Sequence, residues 1–103
     1  MLVELSVVPV GEGLHMTEPV SVAVELIAQS GLDYQVTAMG TLIEGPDEAV
    51  WALVRRCHEA VRRASGRVIT ELRIDDAKQA GHDLSASVRR VEERLAHDLS
   101  KAS

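Results

Sequence analysis

Two alternating apolar runs near the ends of the chain, two helical stripes inside them and a polar-tipped hairpin at the centre predict an α+β sandwich. In order they read strand, helix, hairpin, helix, strand, followed by one additional C-terminal helix. This βαββαβ order is the ferredoxin-like split βαβ plan. Right-handed crossovers then place the first two helices on one face of a four-stranded antiparallel sheet. The 103 residues match the commonest size of a single domain, so one domain over 1–103 is expected.

The first strand is Leu2 to Pro9, with Val3, Leu5 and Val7 on one side and Glu4, Ser6 and Val8 on the other. Pro9 ends it, having no N–H to donate. Gly11 to His15 reads as a loop. Thr17 is an N-cap, and Pro19 is tolerated in the first turn of a helix that runs to about Ser30 and stops at Gly31. Val20, Ala23, Val24 and Ile27 form its core stripe. Val22 and Leu26 fall on the other side, as stray exposed residues or as a subunit contact.

The hairpin runs from Tyr34 to Glu44, and its register stays open between two readings. With a two-residue turn at Met39-Gly40, Ala38 faces Thr41 and Val36 faces Ile43. With a strand continuous through Met39, then Thr37, Met39 and Thr41 line up. Both readings put Thr37 and Gln35 on the side away from Val36, which is expected in the core.

Asp47, as N-cap, and Glu48 open the second helix, which carries Val50, Leu53, Val54, Cys57, Val61 and Ala64 as a continuous stripe and ends before Gly66. Arg55, Glu59, Arg62 and Arg63 face water. Trp51 and His58 share one flank. Cys57 reads as a small buried hydrophobe. The last strand, Arg67 to Ile74, turns Val68, Thr70, Leu72 and Ile74 to the core and Ile69, Glu71 and Arg73 away from it. Asp75-Asp76 terminates it, and Ala80 to His82 is a loop. The final helix, Asp83 to Leu99, has a narrow seam of Leu84, Val88, Val91, Leu95 and Leu99, with Arg89 and Glu93 as i,i+4 partners on its wet side. That seam suits either the domain's own sheet or another subunit.

Composition narrows the function. The chain has no Phe, one Trp and one Tyr, and a formal charge of −5. It lacks the basic groove and stacked aromatics of single-stranded nucleic-acid binders, so nucleic acid is not expected. No apolar run approaches the roughly 18 residues of a membrane span, and no signal peptide is visible. The single cysteine with no signal fits a reducing cytoplasm. The GxxxxGK[ST], GxGxxG, GxSxG and HExxH signatures are absent, and His15, His58, His82 and His97 have no metal-ligand spacing. Neither a metal nor a catalytic role is expected.

Binding remains. A small uncharged or cationic heterocycle needs an apolar wall and a few hydrogen-bonding groups. Ser6, Gln35, Thr37 and Thr41 supply hydrogen bonds, Glu44 a charge, and Met39 or Trp51 the wall. Each has a plainer alternative: Glu44 as a solvated carboxylate, Trp51 as the closure of a core edge, Thr41 as an ordinary strand threonine.

Pro9-Val10-Gly11, the run Met39-Gly40-Thr41-Leu42-Ile43-Glu44-Gly45 and Ile74-Asp75-Asp76 make the chain resemble the YkoF-like thiamine-binding family over nearly its whole length. Pro9-Val10-Gly11 stands where Pro-Leu-Gly is usual, and Ile69 where some relatives carry an aromatic. The resemblance implies a homo-oligomer, a dimer or a dimer of dimers, that binds thiamine or its hydroxymethylpyrimidine moiety without a cofactor and without established catalysis. The expected pose sets the aminopyrimidine on the hairpin's polar side chains, with Glu44 accepting from its amino group. The alternative is an interaction module that has no small-molecule ligand.

Overall fold

The computed structural model describes residues 1–11, 17–78 and 84–102, without the side chains of 17–19, 84–90 and 101–102. The expected Gly11–His15 and Ala80–His82 loops, the Thr17 cap, the Leu84 and Val88 part of the seam and the Arg89–Glu93 pair fall wholly or partly outside the described residues.

The elements are β1 (Leu2–Pro9), α1 (Thr17–Gln29), β2 (Asp33–Val36), β3 (Thr41–Glu44), α2 (Asp47–Ser65), β4 (Val68–Asp75) and α3 (Leu84–Ala102). The four strands form one antiparallel sheet in the order β2-β3-β1-β4. This is the expected α+β, ferredoxin-like arrangement. Strand alternation splits the sheet into two faces. Val3, Leu5 and Ile43 are buried on one face against Ala23 and Ile27 of α1 and Val50, Leu53, Val54, Cys57 and Val61 of α2. Glu4, Ser6, Glu71 and Arg73 lie on the other, where Glu4 pairs with Arg73 and Ser6 with Glu71.

The helix α2 follows its sequence pattern closely because 19 residues sustain one stripe. Asp47 is not the expected N-cap: Pro46 holds that position with no side-chain cap bond, and Asp47 and Glu48 sit in the first turn, with Arg62 and Arg63 in the last, each sign matched to the helix dipole. Gly66 closes it in the left-handed conformation, at φ 78°, and its N–H donates to the Arg62 carbonyl. Only glycine adopts that backbone at no steric cost. His58 Nδ1 lies 2.6 Å from Thr70 Oγ1 and ties α2 to β4.

Several apolar residues depart from expectation. Val36 and Ile74 have the alternation of core residues, yet they are 53% and 43% exposed, because β2 and β4 are edge strands that the helices cover incompletely. Val20 and Ala64 are exposed as well. Leu26, expected on the wet side of α1, instead packs against the core. On α3 the seam residues Val91, Leu95 and Leu99 are 61%, 56% and 71% exposed, so the helix does not bury them on its own sheet.

Candidate functional site

The hairpin settles on neither of its two registers. Val36 faces Thr41, Gln35 faces Leu42 and Tyr34 faces Ile43, which puts the tip at Ala38-Met39, one residue earlier than the Met39-Gly40 turn. Thr37 fixes this. Its N–H donates to the Gly40 carbonyl at 2.9 Å, and its hydroxyl donates to the same oxygen at 2.6 Å. The hydroxyl also accepts from the Met39 N–H at 3.2 Å. Such a side chain bonded to its own loop backbone substitutes for turn glycines. Relative to the two-residue Met39-Gly40 turn, the pairing moves by two positions, so every side chain keeps its face.

Between this hairpin, the end of β1 and α1 lies a cavity of about 220 Å³. Its floor is Leu5 and Thr41, Ala23, Val24 and Ile27 of α1 form the apolar wall, and Thr37, Met39 and Gly40 form the rim. Thr41 stands out chemically. It is only 8% exposed and is the buried polar residue among those described. Its hydroxyl makes no hydrogen bond to a described residue, yet no buried side-chain oxygen is cut off from both solvent and partner. The hydroxyl therefore opens onto the cavity.

Of the residues singled out in the sequence, Ser6, Thr37, Met39 and Thr41 come together at this cavity. Ser6 belongs to the margin: its pairing with Glu71 turns its side chain to the uncovered face, onto a second hollow of about 260 Å³ shared with Glu4, Met39, Glu71 and Arg73. Met39, 80% exposed at the tip, borders both hollows. Gln35 is exposed on the edge strand, on the uncovered face. Glu44 sits at the far end of β3, paired with Leu2 and Asp33, on the face opposite Thr41. Trp51 is on α2 and is 49% exposed. The structure sets these three apart from the cavity. The helix wall of Ala23, Val24 and Ile27 went unrecognised as a site because its stripe reads simply as core; small Ala23 within it was the one available signal.

Cys57 is fully buried, and its thiol lies 3.6 Å from the Ala23 carbonyl. Burial pushes its pKa up to about 11, with nearby Arg56 pulling the other way. A thiol that stays protonated is no nucleophile. Among the described residues, no group of three or more His, Cys, Asp or Glu is placed to hold a metal ion, and no helix is long and apolar enough to cross a membrane.

A sequence profile described as "Thiamine-binding protein" matches residues 3–92. A UPF0045 protein of Methanothermobacter thermautotrophicus is 37% identical over 95 residues, covering 89% of this chain and 96% of that one. A relative in Mycobacterium bovis is 36% identical over 96 residues, covering 92% and 94%. Among solved structures, a Methanocaldococcus jannaschii protein superposes with a TM-score of 0.80 at 26% identity, covering 89% of this chain and 95% of its own. A candidate thiamine biosynthesis/salvage protein from Thermotoga maritima superposes with a TM-score of 0.77 at 26% identity, covering 87% and 96%.

Proposed function

The chain belongs to the thiamine-binding protein family, and from that premise we propose that it binds thiamine or its hydroxymethylpyrimidine moiety in the cavity between the hairpin and α1. The observation that carries this reading is the Thr41 hydroxyl, on a residue only 8% exposed, which bonds no described residue and opens onto an apolar hollow. An aminopyrimidine has flat apolar faces and a rim of donors and acceptors. It fits a wall of Ala23, Val24 and Ile27 with one hydroxyl at its edge.

Size decides which part of thiamine enters. About 220 Å³ lies below the ~300 Å³ at which pockets for drug-sized ligands begin. The cavity therefore takes one ring, the pyrimidine, and leaves the cationic thiazolium at the mouth beside Met39. Glu44 plays no part in this pose, since it lies across the sheet. Binding without catalysis accords with the family's name and with the protonated Cys57. Salvage, transport or sensing of thiamine in a reducing cytoplasm, by a homo-oligomer, completes the proposal. Its support is a single cysteine in the chain and the apolar α3 seam that lies open to solvent. That open seam also favours the second reading, an assembly module without a ligand.

Isothermal titration with thiamine and with hydroxymethylpyrimidine separates the two. Binding heat for both, reduced in Thr41→Val, is the expected outcome. No heat at millimolar ligand would leave only the assembly module.

A further inference from the structure

We infer that the cavity excludes anions: it holds the unphosphorylated ligand, neutral or cationic, and rejects the corresponding phosphate esters. This rests on the binding proposed above and adds the charge class of what enters. Every residue lining the cavity falls between Leu5 and Thr41, and none of them is charged. Over that stretch the chain carries Glu12, Glu18, Glu25 and Asp33 and no Lys or Arg. All 11 of its Lys and Arg residues stand at Arg55 or beyond. The part of the chain that builds the site therefore supplies carboxylates and neither of the two permanent side-chain cations.

The cations of the later half are placed elsewhere. Arg55 and Arg63 are on α2, which packs over β1 and β4, and they reach Glu59 at 3.9 and 4.0 Å. Arg73 lies on the uncovered face, paired with Glu4. The N-terminal ammonium stands 3.6 Å from Asp47, at the end of β1 remote from the cavity. A phosphate monoester carries about −1.5 to −2 charges at pH 7 and is ordinarily met by Arg, Lys or a set of free N–H groups. Free N–H groups do come near, since Val20 lines the wall and belongs to the first turn of α1. In that turn Pro19 has no N–H to give, and Glu18 adds a like charge. An ester entering here would lose hydration and gain no counter-charge. A thiazolium cation instead meets a favourable field.

Isothermal titration at neutral pH with hydroxymethylpyrimidine, thiamine and the monophosphate of each tests this. At about 20 mM salt each ester should bind about tenfold or more weakly than its alcohol, and at about 300 mM the gap should narrow as charges are screened. Uncharged hydroxymethylpyrimidine should be insensitive to the same change. Val36 lines the cavity and is 53% exposed on the edge strand β2, a setting that tolerates lysine. Val36→Lys should tighten the esters and weaken thiamine. Val36→Gln, of similar reach but without charge, should keep the wild-type ratio of ester to alcohol. If hydroxymethylpyrimidine and thiamine both give no heat, the binding site itself is refuted and this inference with it. If they bind and an ester binds equally well or better, or if neither salt nor Val36→Lys narrows the gap, the exclusion of anions alone is overturned.

Discussion

Gly40 approaches β1 so closely that a Cβ on it would stand 3.0 Å from the Leu5 carbonyl oxygen and 3.2 Å from Glu4 Cγ. The nearer atom is backbone in the centre of the sheet and cannot rotate aside. The hairpin tip can therefore lie against β1, and so close one side of the cavity, only because this residue has no side chain.

Gly40→Ala is expected to destabilise the fold by about 1–3 kcal/mol, the usual cost of overpacking. Urea unfolding measures it. Because Thr41 follows directly, the same variant should bind hydroxymethylpyrimidine more weakly.

Thr37 holds the tip with its hydroxyl, bonded to the Gly40 carbonyl and the Met39 N–H. Thr37→Val keeps the shape and removes both bonds. A loss of about 1–2 kcal/mol is expected, with faster amide hydrogen exchange at Met39 as its local signature. A variant with wild-type exchange at Met39 would show that the backbone alone fixes the tip.

Cys57 gives a pH signature. Its pKa is raised from 9.0 to about 11 by burial, so the folded state holds its proton more tightly than the unfolded state does. The associated stability is fully present below pH 9 and is lost as pH rises from about 9 through 11. Ellman's reagent at pH 8 should label the denatured protein promptly and the native protein only at the rate of opening. Cys57→Ala should flatten the fall of stability in that alkaline window.

Much of the fold was legible in the sequence because long elements average their signal. The α2 residues Val50, Leu53, Val54, Cys57 and Val61 are all buried as their spacing requires. Position within the sheet was not legible. Val36 and Ile74 have the alternation of core residues, but whether a strand lies at an edge is decided by residues far away in the chain. The hairpin register was misread for a related reason. Met39-Gly40 looks like a turn, whereas Gly40 is needed for its approach to Leu5, a contact 35 positions away in sequence. The candidate site was legible only in part. Thr37, Met39 and Thr41 meet at one cavity, but its helix wall resembles ordinary core, and Glu44, near in sequence, points to the opposite face.

The placement of the ligand beside Thr41 is tested most directly by a ¹⁵N-edited NMR titration with hydroxymethylpyrimidine. The account predicts amide shifts concentrated at Ala23, Val24, Met39, Gly40 and Thr41, with Glu44 and Trp51 unmoved. Shifts confined to Glu4, Glu71 and Arg73 on the uncovered face, or no shifts at millimolar ligand, would contradict it.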